Sequence, residues 1–261
     1  MAETANRSVS REQVLAYVLC ALFVGFFVAA EVLGGKLFRF TLFGLGPDDI
    51  GLGDGGEFAA TAGILAFPLT FVMTDIVNEY FGKPLVKLFT WIAIAVNLLL
   101  QPVIRAAIAV PAISFTPGIS DADMQRGFEI ALGQTTSIVV ASLCAFALAQ
   151  WLDVQVFTWL RRNTGGRFLW LRAQGSTVVS QLIDTLIVIY LAFYTLPALG
   201  GDPHMGAGEA GAIALTNYVY KFALAVVLTP LLYVVRALVV RLLGRDEAAR
   251  LAHAAHPADP R

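Results

Sequence analysis

The side chains best suited to chemistry lie within apolar segments or at their ends. Asp75 and Glu79 follow the apolar run that begins at Phe67, and their four-residue spacing places both carboxylates on one face of a helix. Pro68 removes a backbone hydrogen bond, so it is expected to kink that helix. Carboxylates at the end of a membrane helix cost free energy unless a partner or ligand engages them. We therefore predict a buried binding role for Asp75, whereas Glu79 either joins it or marks the water interface.

Three further charged residues, Glu31, Asp184 and Lys221, lie inside apolar segments. A central Asp or Lys costs about 2.5–3.5 kcal/mol in a membrane helix, so such residues face a partner or a cavity. Asp184 and Lys221 lie at equal depths from opposite ends of their segments, roughly 12 Å at 1.5 Å per residue. Both reach the middle of the membrane, either as a structural ion pair or as part of a ligand site.

Amide side chains share helical faces with charged or other amide groups. These pairs, three or four residues apart, are Asn97 with Gln101, Gln181 with Asp184, and Asn217 with Lys221. Carboxylates accept from N–H groups, amides and an ammonium donate to carbonyl oxygens, and aromatic rings stack on flat ligands. The combination suits a small planar heterocycle.

The composition is that of a membrane protein. Of the 261 residues, 57% are hydrophobic and 14% are charged, and the mean hydropathy is +0.72. These values indicate a polytopic membrane protein, and the net charge of −1 provides no basic field for nucleic acid. Cys20 and Cys144 lie in apolar segments, where we expect small core residues rather than a disulfide or a zinc site. Nothing in the sequence predicts a metal or a cofactor.

Six apolar segments are long enough to cross a hydrocarbon core of about 30 Å. They are residues 14–33, 58–77, 88–104, 130–152, 176–199 and 213–235. With both termini in the cytoplasm, 13 of the 18 Lys and Arg residues lie inside, four lie outside and one lies in the membrane. We predict an all-α fold with one six-helix domain over residues 14–243. Residues 1–13 and 244–261 are predicted to be short, disordered cytoplasmic tails.

A stripe of small residues at four-residue spacing, Ala21, Gly25 and Ala29, lies on the first segment. Such a stripe lets another helix approach closely. It is expected to pack within the protomer, across a homodimer or against a docking partner.

Four motifs resemble the YhhQ/VUT family of bacterial queuosine-precursor transporters. They are residues 67–82 (FPLTFVMTDIVNEYFG), 149–157 (AQWLDVQVF), 176–185 (STVVSQLIDT) and 217–222 (NYVYKF). The resemblance extends from about residue 14 to residue 243, although the external loop at 46–57 is longer than the family pattern. It implies an inner-membrane, multi-pass protein similar to the six-helix substrate-binding subunits of vitamin importers. The implied activity is uptake of 7-cyano-7-deazaguanine or 7-aminomethyl-7-deazaguanine.

The predicted substrate-binding residues are Asp75, Glu79, Asn97, Gln101, Gln181, Asp184, Asn217 and Lys221. One alternative is a substrate-binding subunit of a multi-component vitamin or nucleobase importer. The other is an intramembrane enzyme, which the absence of a histidine from every predicted span disfavours. The energy source stays open between passive diffusion with trapping, proton coupling through Asp184 or Asp75, and a partner ATPase.

Overall fold

The computed structural model describes residues 9–34, 36–41, 44, 46, 48–50, 57–133, 136–165, 168–200 and 206–256. The α-helices are α1 Arg11–Leu33, α2 Phe67–Phe81, α3 Lys83–Ala109, α4 Asp121–Leu132, α5 Thr136–Asn163, α6 Leu169–Ile189, α7 Leu196–Gly200, α8 Ala207–Val227, α9 Thr229–Leu243 and α10 Arg245–Ala254. The strands β1 Leu37–Phe40 and β2 Phe58–Thr61 form an antiparallel hairpin. Much of the predicted long loop at 46–57, including residues 51–56, lies outside the described residues.

Five helices in the described part of the chain are long and apolar enough to cross a membrane. A sixth span results if α8 and α9 are counted together, although they are bent by 43° beside Pro230. The orientation with both termini in the cytoplasm stays a prediction. We use "inner end" for the side that this orientation assigns to the cytoplasm and "outer end" for the opposite side.

The start of α2 differs from the prediction. Pro68 lies in the first turn of α2, where its missing N–H has no partner to lose, so it begins the helix instead of kinking it. A short 3-10 turn, Ala62–Leu65, precedes α2, and Phe58 belongs to β2 rather than to the membrane span. The motif that begins at Phe67 is thus one uninterrupted helix, which places Asp75 and Glu79 on the same face.

Two other predicted boundaries were wrong. Residues 121–132, which the sequence divided between a loop and the fourth span, form the separate helix α4, capped by Ser120 and ended at Gly133. At the inner end, α5 continues to Asn163 and α6 already begins at Leu169. The longer α5 and α6 bring Asp153 and Arg172 into the packed bundle.

The predicted disorder of the C-terminal tail was also wrong, because residues 245–254 form α10. This helix is amphipathic, and it packs Ala248 and Leu251 into the core at 3% and 9% exposure. The middle of this helix contacts the start of α1 through an ion pair between Arg250 and Glu12, with 2.6 Å between Nη2 and Oε1.

Ala21 and Gly25 of the small-residue stripe do not pack within the protomer, whereas Ala29 is half-buried. A Cβ added at Gly25 would meet no atom within 4 Å, and Ala21 is exposed. The close approach to α1 is made by Gly63, where a Cβ would lie 2.3 Å from the carbonyl oxygen of Ala30. Cys144 was likewise expected in the core, but it lies on an exposed face of α5.

Candidate functional site

The two charged residues that the sequence places at mid-membrane meet between α6 and α8. Lys221 Nζ lies 2.7 Å from Asp184 Oδ2, and these side chains are 18% and 4% exposed. The ammonium of Lys221 also lies 5.3 Å from the centroid of the Phe67 ring, within cation–π range. The ion pair that the sequence left open is therefore present, and Lys221 lies against an aromatic wall.

An outer pocket of about 250 Å³ lies beside this ion pair. Its charged and hydroxyl-bearing lining consists of Glu31, Thr61, Ser142, Asp184 and Lys221. Ser142 Oγ donates a hydrogen bond to Glu31 and so holds that carboxylate in position. The π-helical segment Tyr190–Thr195, which follows α6, contributes Phe193 to the lining. Such segments are frequent at functional sites because they interrupt the regular packing of a helix.

A smaller inner cavity of about 30 Å³ contains the Asp75 carboxylate. Its polar lining consists of Asp75, Gln174, Thr177, Gln181, Lys221 and Thr229. Ile64, Phe67 and Lys221 line both the outer pocket and this cavity, so they separate the two. The cavity has room for little more than a water molecule. A heterocycle therefore enters only if some of these side chains move.

Three buried polar atoms at the inner cavity have no hydrogen-bond partner within the described ranges. They are Asp75 Oδ1 and Gln174 Oε1, both acceptors, and Gln181 Nε2, a donor. Asp75 and Gln181 are only 4% and 3% exposed. A buried polar atom without a partner costs roughly 1–3 kcal/mol, and native proteins usually satisfy such atoms. An open acceptor and an open donor near Lys221 suit a ligand that carries both N–H groups and a carbonyl oxygen.

The remaining predicted amide residues lie away from the inner cavity. Gln101 Nε2 donates to Asn97 Oδ1 at 3.2 Å, and both residues line a small cleft with Glu31. Since Glu31 also lines the outer pocket, this amide pair adjoins that pocket from α3. Asn217 Nδ2 donates to the carbonyl oxygen of Ile213 in its own helix at 2.9 Å.

Glu79 lies at the inner end of α2 and pairs with two arginines. Arg172 Nη1 lies 2.9 Å from Glu79 Oε2, and Arg161 forms an ion pair with the same oxygen. Arg172 is 1% exposed, and its guanidinium lies 5.3 Å from the centroid of the Phe157 ring. The structure thus brings Glu79 to protein partners, one helical turn from Asp75.

The helix α10 covers this ion cluster from the inner side. Arg161 Nη2 donates to the carbonyl oxygen of Ala252 at 3.0 Å. The Nε2–H of His256 donates to the carbonyl oxygen of Asn78 at 2.6 Å. Burial, with the nearby Arg161 guanidinium as a further cause, lowers the pKa of the His256 imidazole below its usual value. The sequence predicted a disordered tail here, whereas His256 holds α10 against α2.

Sequence reasoning missed two buried charged residues, Asp153 and Arg172. Asp153 is 2% exposed and accepts a hydrogen bond from Ser180 Oγ at 3.1 Å. The fourth span was ended one residue before Asp153, and Arg172 was counted as a cytoplasmic loop residue. Two signals were available in the sequence. Asp153 lies within the motif at residues 149–157, and Arg172 lies four residues before Ser176, one helical turn ahead of the motif at 176–185.

The comparisons with known proteins identify the family of this chain. Residues 61–235 match the family described as "putative vitamin uptake transporter". The chain is 33% identical over 181 residues to a probable queuosine precursor transporter of Bacillus subtilis (strain 168), covering 69% of this chain and 73% of the relative. It is 30% identical over 170 residues to the queuosine precursor transporter of Escherichia coli (strain K12), covering 65% and 69%. No solved structure matches the chain. The matched residues 61–235 include every predicted substrate-binding residue.

Proposed function

The chain belongs to the vitamin uptake transporter family, and we propose that it imports queuosine precursors across the bacterial inner membrane. The names of the curated relatives support the class of substrate. The observation that carries the proposal is the pair of open polar atoms, Asp75 Oδ1 and Gln181 Nε2, in a cavity bordered by Lys221 and Phe67. We propose no catalytic chemistry for these groups.

The chemistry of a 7-deazaguanine fits these groups. Its N1–H and exocyclic amine lie side by side, so one carboxylate accepts from both. Its O6 accepts from an amide N–H or an ammonium. We assign the first contact to Asp75 and the second to Gln181 and Lys221, while Phe67 offers an aromatic face to the flat ring. In this arrangement Asp184 holds Lys221 in place.

Substrate reaches the inner cavity by way of the outer pocket. The outer pocket is about 250 Å³, and the inner cavity is about 30 Å³. Import therefore requires the side chains shared by the two, those of Ile64, Phe67 and Lys221, to move aside as the substrate arrives. Glu31, with Asn97 and Gln101 behind it, is suited to bind the heterocycle first, because these groups adjoin the wider pocket.

A binding subunit that needs an energising partner is the second candidate. The exposed stripe at Ala21 and Gly25 favours it, because a partner helix can approach α1 closely there. The purified chain in liposomes, without ATP or other proteins, separates the two candidates. Uptake of 7-cyano-7-deazaguanine under these conditions supports a self-sufficient transporter. Binding without uptake supports the partner-dependent subunit.

Variants of the inner cavity test the assigned contacts. Asp75→Asn replaces an acceptor oxygen by a donor, which leaves one substrate N–H unpaired at a cost of ~1–3 kcal/mol, about tenfold or more in Kd. Gln181→Leu is expected to weaken binding by a similar factor. Thr158→Val is the matched control, because Thr158 is buried but bonds only within its own helix. Unchanged binding in both cavity variants would remove this cavity from the substrate site.

A further inference from the structure

Asp153 is a second buried carboxylate near the inner cavity, and the proposed substrate contacts do not use it. Its Oδ1 accepts from Ser180 Oγ of α6 at 3.1 Å, and the residue is 2% exposed. Thr177 and Gln181, which flank Ser180 on α6, line the inner cavity together with Asp75. The bond to Ser180 therefore holds Asp153 on α5 next to this cavity, close enough to Asp75 on α2 for the two carboxylates to interact electrostatically. Like charges repel strongly in a buried environment, where the effective dielectric constant is low. Two ionised carboxylates would therefore destabilise this region.

Lys221 does not neutralise the two carboxylates. Lys221 lines the same cavity as Asp75, but its ammonium pairs with Asp184 at 2.7 Å. That pair carries no net charge. Asp75 Oδ1 is left without a hydrogen-bond partner in the described part of the chain.

The arginines at the inner end neutralise only one of the two carboxylates. Arg161 and Arg172 both pair with Glu79, which leaves this cluster with one positive charge. Asp75 and Asp153 contribute two negative charges when both are ionised. These five residues then carry one net negative charge inside the bundle. One bound proton makes the group neutral.

Unpaired polar atoms beside Asp75 are a second, independent indication of a ligand. Asn78 lies one turn along α2 from Asp75 and is 1% exposed. Neither Oδ1 nor Nδ2 of Asn78 has a partner among the described residues. A proton on a carboxylate turns an acceptor oxygen into an O–H donor, which an amide oxygen or a second carboxylate can accept. Asn78 therefore adds an open acceptor and an open donor to the helix that carries Asp75.

We propose that Asp75 and Asp153 together bind one transferable proton and that substrate import is coupled to its inward movement. This inference rests on the proposed import function. A proton from the outer side binds Asp153, which leaves Asp75 ionised to accept from the substrate N–H groups. The proton then leaves at the inner side, and no bond of the substrate is made or broken. Each neutral substrate thus enters with one positive charge.

Reconstituted liposomes test the coupling. An inward gradient of one pH unit is expected to drive about tenfold accumulation of 7-cyano-7-deazaguanine by the wild-type chain, since one proton moves with each substrate. Asp153→Asn keeps the shape of the side chain but cannot release a proton. It is expected to exchange labelled for unlabelled substrate while its accumulation ratio falls to about one. Thr158→Val, on the same helix, is expected to accumulate substrate like the wild type.

Infrared spectroscopy tests proton binding without substrate. The wild-type chain is expected to show the band of a protonated carboxylic acid near neutral pH, and Asp153→Asn is expected to show a weaker band because the proton of the pair is lost. Accumulation by Asp153→Asn equal to wild type, or an unchanged infrared band, would overturn the proposal. A wild-type chain that exchanges no 7-deazaguanine would instead refute the import function, while the infrared band still decides whether the pair binds a proton.

Discussion

Replacing Glu79 by Gln is expected to destabilise the protein strongly, because Glu79 is the partner of two arginines at the inner end. Arg172 is 1% exposed, so its charge cannot turn to water when the carboxylate is lost. Removing one member of a buried ion pair costs about 3–5 kcal/mol. Arg161 adds little to this loss, because it keeps its hydrogen bond to the carbonyl oxygen of Ala252.

Thermal unfolding of the purified protein in detergent measures this effect. At about 2 °C per kcal/mol for a chain of this size, Glu79→Gln is expected to lower Tm by roughly 6–10 °C. Adding Arg172→Met removes the unpaired charge, so the double variant is expected to recover most of the loss. The matched control is Glu12→Gln, whose pair with Arg250 is exposed and worth at most about 1 kcal/mol.

The opposite result would assign Glu79 to the substrate. If Glu79→Gln keeps the wild-type Tm but loses binding of 7-cyano-7-deazaguanine, the structural interpretation of the cluster is wrong. If Tm falls and the folded fraction still binds substrate with unchanged Kd, Glu79 is confirmed as a residue that supports the fold.

Three further predictions follow from other contacts. Asp184→Asn and Lys221→Met are each expected to reduce uptake. The double variant is expected to stay inactive, because Lys221 donates to the substrate. A double variant that regains uptake would show that the two residues only cancel each other's charge. Gly63→Leu is expected to unfold the protein, because Ala30 leaves no space for a side chain at this position. Gly25→Leu is expected to leave the protomer folded. A changed oligomer profile for Gly25→Leu would reveal a partner at that face of α1. The lowered pKa of His256 means that undocked α10 takes up a proton below about pH 6.5 while docked α10 does not. Docking of α10 is therefore complete above that pH and weakens as the pH falls towards the lower pKa of docked His256. Hydrogen exchange of residues 245–254 at pH 7.5 and 5.5 measures this effect. Equal protection factors at both pH values would refute it.

The class of protein and the helices that can cross a membrane were predictable from the sequence. The length of an apolar segment and its lack of charged residues can be read directly from the sequence. These two properties determine whether a helix can span the hydrocarbon core of a bilayer. The contact between Asp184 and Lys221 was also foreseeable, because two opposite charges at equal depth in a membrane have few other partners. The resemblance to a transporter family pointed to the same helices.

The positions at which helices start and stop required the tertiary structure. The sequence cannot show that Pro68 begins a helix instead of bending one, because both roles suit its ring. It cannot show that residues 245–254 fold, because their helix is stabilised by packing Ala248 and Leu251 against the bundle. Short amphipathic helices are marginal on their own, and only the surface they cover makes them stable.

The partners of Glu79 and Asp153 were decided by the tertiary structure alone. Glu79 meets Arg161 and Arg172 across 82 and 93 residues of chain, and Ser180 meets Asp153 across 27. Spacing along one helix predicts which side chains share a face, but it carries no information on which helix lies opposite. Asp75 and Glu79 share a face of α2 and still differ, because Glu79 meets two arginines and Asp75 keeps an open acceptor. The packing of α5 and α6 against α2 makes that difference.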